Sequence, residues 1–180
     1  MTSKRSILGR LVSEVRGAEI AEAAAVLPLM FMILLGIFWF GQAFSIYGTI
    51  TRAAQEGARA GAAPTCTTCT GVSPSQNAFN AVQAALVVAK LDPSKARYPS
   101  PLPVLNACTS GGTVPSCDSS ASTKVCVQTP VLLSSTVSGT RVCGISVSFQ
   151  YPFKFKLPFS SLNNQRILMT AAARVRVETQ

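Results

Sequence analysis

Between Ala23 and Thr51 the chain carries no charged residue, and the core of that run, AAAVLPLMFMILLGIFWFGQAF, has the roughly 20-residue length that crosses a bilayer as a helix. A cleaved secretory signal would have a shorter apolar region, about 7 to 15 residues, followed at once by a small-residue cleavage site. A lipoprotein signal does not fit either, because Cys66 follows Ala63, Pro64 and Thr65 well beyond the run. The segment is therefore expected to be retained as a single transmembrane pass. Pro28 lies inside it and predicts a kink that neighbouring helices or local backbone adjustment must accommodate.

Charge sets the expected orientation. Lys4, Arg5, Arg10 and Arg16 precede the run, with Glu14 as their acidic neighbour, which holds the N-terminus in the cytoplasm and sends the rest across the membrane. Much of the net charge of +9 is thus a topological signal. The later basic residues, Arg52 to Arg176, are scattered singly, without the clustered stripe and interleaved aromatics of a nucleic-acid groove, so no nucleic-acid partner is expected. Trp39 and Tyr47 lie toward the far end of the run, where amphipathic rings favour the interface, and Arg52 is the first charge beyond it.

Composition also narrows the chemistry. Histidine is absent, which removes the commonest general base, the Ser-His and Cys-His nucleophile pairs and any imidazole zinc site. The seven acidic residues include Glu19 and Glu22 at the membrane border and form no recognisable hydrolase pair. No catalytic residue, cofactor or metal is expected, and the chain reads as a non-enzyme.

Helical spacing continues past the apolar run. Residues 45 to 62 keep apolar or small residues at Ile46, Ile50, Ala53, Ala54, Gly57 and Ala58, which predicts one long helix projecting from the membrane until Pro64 and the Thr/Cys-rich stretch break it. A second helix is predicted over 74–90. Ser73 is its N-cap, Pro74 its first residue and Gln76 the partner completing a capping box. Phe79, Val82, Leu86 and the aliphatic stem of Lys90 form its buried face, and Asp92-Pro93 closes it. Residues 93 to 122, rich in Pro, Ser, Gly and Cys, read as a loop tied down by bridges rather than by a core.

The last third changes period. Ile145, Val147, Phe149, Tyr151 and Phe153 alternate with polar positions as in a half-buried strand. Ile167, Met169, Ala171, Ala173, Val175 and Val177 share one face of another, opposite Thr170, Arg174, Arg176 and Glu178. Val125 and Val127 offer a shorter third strand. A small antiparallel sheet packed on the second helix covers both apolar surfaces, which makes the soluble part α+β. The expected division is a basic leader over 1–17, a transmembrane and extended helix over 18–62, and an extracytoplasmic domain over 63–180.

Cys66, Cys69, Cys108, Cys117, Cys126 and Cys143 all follow the apolar run, and an even count in an oxidising compartment predicts three disulfides, with 15 possible connectivities. The Cys66-Thr67-Thr68-Cys69 stretch is compatible with a redox pair, which would make the chain a membrane-tethered thiol oxidoreductase, although no thioredoxin-type pattern surrounds it. A four-thiolate zinc site is the remaining alternative and lacks a second Cys-x-x-Cys.

Around the helix start the sequence reads Arg16-Gly17-Ala18-Glu19-Ile20-Ala21-Glu22, a basic leader ending in glycine and then a helix with an acidic residue at its fifth position. This resembles a prepilin peptidase site of the type IV pilin class, and the resemblance implies cleavage between Gly17 and Ala18. Glu22, costly within a bilayer unless paired, would then meet the freed amino group of a neighbouring subunit's Ala18. With the following AAQEGARAGA, the VSFQYPFKF segment and the final ILMTAAARVRVE strand, the chain resembles the TadE-like family. That resemblance implies a pseudopilin or minor pilin of a bacterial tight adherence (Tad, or Flp) pilus, a structural part in pilus biogenesis, surface adhesion and biofilm formation. The implied location is the inner membrane, with the C-terminal domain periplasmic or extracellular. The implied partners are other pilins and pseudopilins, the Tad assembly machinery and prepilin peptidase.

Residues 64 to 140 lie outside the resemblance. The alternative is an uncleaved, permanently anchored extracytoplasmic binding module. Glu56-Gly57-Ala58-Arg59 is the most recognisable family element. Gly57 and Gly61 there suit close approach of another helix, while Glu56 and Arg59 can also simply pair with each other.

Overall fold

The structure is a computed structural model that describes residues 4–63, 73–109, 116–117, 124–135, 141–154 and 166–177, with side chains described from residue 17 onward. Helix α1 runs from Lys4 to Ala62 and continues through Pro28. The chain forms two compact units, Met1–Ala43 and Phe44–Gln180, so the last part of α1 belongs to the second unit. In the first unit the apolar side chains from Ile20 to Phe40 stand largely exposed: Met32, for example, is 77% accessible.

Helix α2 spans Pro74–Val88. Ser73 caps it by accepting a hydrogen bond from the Gln76 amide at 3.2 Å. The expected capping box is only half formed, because the Gln76 side chain donates forward to Asn80 Oδ1 at 3.1 Å instead of returning to Ser73. The helix also ends two residues before the expected position 90. Lys90 takes a left-handed backbone (φ 58°) and the Leu91 amide bonds back to the Leu86 carbonyl at 2.9 Å, the geometry of a terminating turn. That turn directs Lys90 outward, so the buried face consists of Ala78, Phe79, Val82 and Leu86 without the lysine stem. Asp92 then caps a short 3-10 turn, Pro93–Lys95, through its carboxylate.

Three strands follow: β1 (Cys126–Ser135), β2 (Arg141–Lys154) and β3 (Arg166–Arg176), in an antiparallel meander of spatial order β1-β2-β3. β1 is thus longer than the short strand expected around Val125 and Val127. Its register shifts between Gln128 and Val131, where Pro130, having no amide hydrogen, falls at the irregularity.

One sheet face presents Val127, Ile145, Val147, Phe149 and Tyr151 with Ala171, Ala173 and Val175 of β3. These join Phe79, Val82 and Leu86 of α2 in one core. That core also contains Ile50, Ala53, Ala54 and Ala58 of α1, each fully buried. The combination of a long apolar helix, a second helix and an antiparallel three-stranded sheet is the α+β architecture expected from the sequence.

β2 departs from the half-buried reading. Ser146, Ser148 and Gln150 on its second face are as buried as the apolar residues on its first. The segment around residues 97–108 supplies the cover. Arg97 and Gln150 exchange two backbone hydrogen bonds of 2.8 Å, and the Gln150 and Gln128 amides donate to the Ser100 and Pro103 carbonyls, both at 3.3 Å. Buried glutamines on a strand thus satisfy the carbonyls of an irregular segment that has no ladder of its own. Ala96 and Leu105 are buried as well, so this part of the 93–122 loop is held by a core contribution and not by bridges alone.

Candidate functional site

The residues singled out around the helix start lie in the first unit. Gly17, Ala18 and Glu22 are all helical and exposed, and a side chain added at Gly17 would meet nothing within 4 Å. They lie on the same element as the apolar run but are not drawn into a pocket with any other described residue.

Gly57 and Gly61 are placed differently. A Cβ built on Gly57 would lie 2.9 Å from the Ala78 carbonyl oxygen and 3.5 Å from Val147 Cγ1, and would collide with the Val82 side chain. One built on Gly61 would lie 2.5 Å from Ile145 Cδ1 and 2.9 Å from Ala78 Cβ. The helix that approaches these glycines is therefore this chain's own α2, backed by β2. The charges beside them point away: Glu56 and Arg59 form an exposed pair at 3.6 Å, the geometry of an ordinary i,i+3 surface contact.

Four of the six cysteines fall within the described residues, and they make two disulfides, Cys108–Cys143 and Cys117–Cys126, with Cα separations of 5.6 and 4.7 Å. Their sulfurs are thereby removed from the zinc alternative. The first bridge anchors residues 106–108, which also add to the outer edge of β1: the Leu132 amide donates to the Asn106 carbonyl at 2.8 Å and the Cys108 amide to Pro130 at 3.2 Å. An exposed strand edge is covered in this way. Cys66 and Cys69, and with them the redox reading, lie outside the described residues.

With this geometry in view, the comparison with known families is specific. Residues 17–59 match the family model described as TadE-like protein. Over these residues α1 is similar to that family. The TadE-like match starts at Gly17, covers the whole apolar run and ends at Arg59, within the portion of α1 that is buried in the second unit. It stops short of α2, the disulfides and the sheet. No curated protein and no solved structure matches the chain.

One feature escaped the sequence reading altogether. Basic residues that are scattered singly along the chain gather, in the second unit, around a cleft of about 1030 Å³. They are Lys90, Lys95, Arg97, Lys124, Lys154 and Arg166. The only sequence signal was the excess of cations itself, since their spacing follows no helical or strand period.

Proposed function

We propose that the chain is a pilin-like structural component of a Tad pilus assembly system, anchored in the inner membrane by the apolar part of α1 with its α+β domain outside the cytoplasm. The observation that carries this reading is the TadE-like match over 17–59, which falls on a helix whose apolar side chains are exposed up to Phe44 and whose continuation, from Ile50 on, is built into a folded core. Exposed Leu, Ile, Met and Phe on all sides of a helix are stable in lipid or against other apolar helices and not in water. The helix is long and apolar enough to cross a membrane.

In this reading residues 1–17 are a leader removed after Gly17, and Glu22 is the intramembrane carboxylate that pairs with the new N-terminus of a neighbouring subunit. The domain of each subunit then serves assembly or surface adherence, with other pilins, the Tad machinery and prepilin peptidase as its partners.

The test is the N-terminal sequence and intact mass of the protein isolated from native membranes. A mature start at Ala18 that is lost when Gly17 is replaced by a bulky residue supports a processed pilin-like subunit. A start at Met1 or Thr2 identifies a permanent anchor carrying a binding module and removes the pilin mechanism.

A further inference from the structure

The two outer edges of the sheet are finished differently. On the β1 side the ladder is interrupted by register shifts and the edge is covered: Ala107 bridges Val131, and Arg97 bridges Gln150 of β2 beyond the point where β1 begins. β3 instead pairs with β2 without a bulge along its full 11 residues, Arg166–Arg176, and contains neither proline nor glycine. Among the described residues no strand and no backbone hydrogen bond lies on its other side. Alternate amides and carbonyls of β3 therefore point outward as a straight template for one more strand.

That template is flanked by charge of one sign. The face of β3 turned away from the core carries Arg166, Leu168, Thr170, Ala172, Arg174 and Arg176, all exposed. At about 3.4 Å per residue, Arg174 and Arg176 stand about 7 Å apart, and Arg166 about 27 Å from Arg174. Neither β2 nor β3 contains a carboxylate, and none of these arginines joins an ion pair among the described residues. A strand laid along the edge would set its own alternate side chains about 5 Å from them, where opposite charges attract and like charges repel.

The charges discriminate among occupants. Two copies pairing antiparallel along the whole of β3 would place Arg166 against Arg176 at both ends, an arrangement that destabilises a sheet. Other segments of this chain do not supply the complement, because its seven acidic residues include no two spaced two apart, the spacing that one strand face requires. The matching strand therefore belongs to a different protein. Running antiparallel like the rest of the sheet, it has acidic residues at its first, third and eleventh positions and apolar or small residues facing Ala172 and Leu168.

We propose that the outer edge of β3 binds an extended acidic segment of a partner protein as a fourth strand. Backbone hydrogen bonds supply the affinity, and Arg166, Arg174 and Arg176 supply the selectivity. These residues all belong to the second unit, so binding does not depend on whether the leader before Ala18 is removed.

The test uses the full chain in neutral detergent and the fluorescently labelled peptide ETETVTTTVTE, with binding read by anisotropy. The expected result is an affinity about tenfold or more above that of KTKTVTTTVTK, with the preference inverted in the variant R166E/R174E/R176E. Two further forms of the acidic peptide carry N-methyl groups, one on its odd-numbered and one on its even-numbered residues. Only alternate amides of an added strand face β3, so one form loses about tenfold or more in affinity and the other keeps it. Equal affinity of the acidic and lysine peptides overturns the proposal by removing the selectivity. Equal behaviour of the two methylated forms also overturns it, reducing the binding to attraction between surface charges. A dimer of the chain that fails to form in R166E/R174E/R176E, with no binding of the peptide, assigns the edge to a second copy and overturns it as well. The methylated pair is measured on the unmodified chain, which keeps the result readable if the charge-reversed variant folds poorly.

Discussion

Gly57 of α1 lies so close to Ala78 of α2 that a methyl group placed on its Cα would stand 2.9 Å from the Ala78 carbonyl oxygen. The two helices meet backbone to backbone at this point, and the absence of a side chain on Gly57 is what lets α2 and β2 close over the end of α1. Replacing Gly57 with Ala is expected to destabilise the second unit by about 1–3 kcal/mol, because the cost of overpacking exceeds the helix-propensity gain of up to about 1 kcal/mol. Gly48, where an added Cβ meets nothing within 4 Å, supplies the opposite expectation: Gly48→Ala is neutral or stabilising. Denaturant unfolding of the two variants checks both signs.

The two disulfides close loops of different length, with sequence separations of 35 for Cys108–Cys143 and 9 for Cys117–Cys126. Loop-closure entropy then predicts a loss of about 4 kcal/mol when the first pair is replaced by serines and about 2.5 kcal/mol for the second. The ordering is checked by comparing the two double variants in chemical denaturation. An equal or inverted effect would show that loop-closure entropy does not set the contribution.

Ser73 and Gln76 have separable roles at the start of α2. Ser73→Ala removes the hydrogen bond to the Gln76 amide and is expected to cost about 1 kcal/mol. Gln76→Ala removes only the exposed side-chain contact with Asn80 and should cost a few tenths of a kcal/mol. Thermal unfolding followed by circular dichroism distinguishes this from a complete capping box, in which both substitutions would be felt alike.

Asp92 responds to acid in a defined direction. Hydrogen bonds from the Ser94 hydroxyl and then the Ser94 amide, with Lys95 nearby, hold its carboxyl below the ordinary value of 3.8. Because the folded value is the lower one, the stability it contributes is fully present above about pH 4 and disappears as pH falls through the folded value. Asp92→Asn should therefore flatten the melting-temperature profile selectively below about pH 4. An unchanged acid limb would place that sensitivity on other carboxylates.

How much of this was legible in the sequence differs element by element, for physical reasons. The apolar run of α1, the Ser73-Pro74 start of α2 and the alternating strands around Phe149 and Ala171 were readable, because each depends on local spacing of apolar residues or on a local cap. The burial of Ser146, Ser148 and Gln150 was not, because it depends on a distant irregular segment laid across them, and alternation alone reads such positions as facing water. Lys90 was read as the end of a buried face for a similar reason. The period continued through it, while the left-handed turn that points it outward is a backbone event that no apolar spacing encodes.

For the candidate site the division is sharper. Sequence by itself determined that the chain carries a long apolar helix, resembles the TadE-like family at that helix, and keeps its cysteines on the far side of it, since these follow from composition and order along one strand of chain. Tertiary structure alone decided which residues meet: that Gly57 and Gly61 receive α2, that Cys108 joins Cys143, and that six separately placed cations face one cleft. Contacts between residues far apart in sequence are selected by how the whole core packs, and close packing is a property of volumes and backbone approach that a linear pattern does not contain.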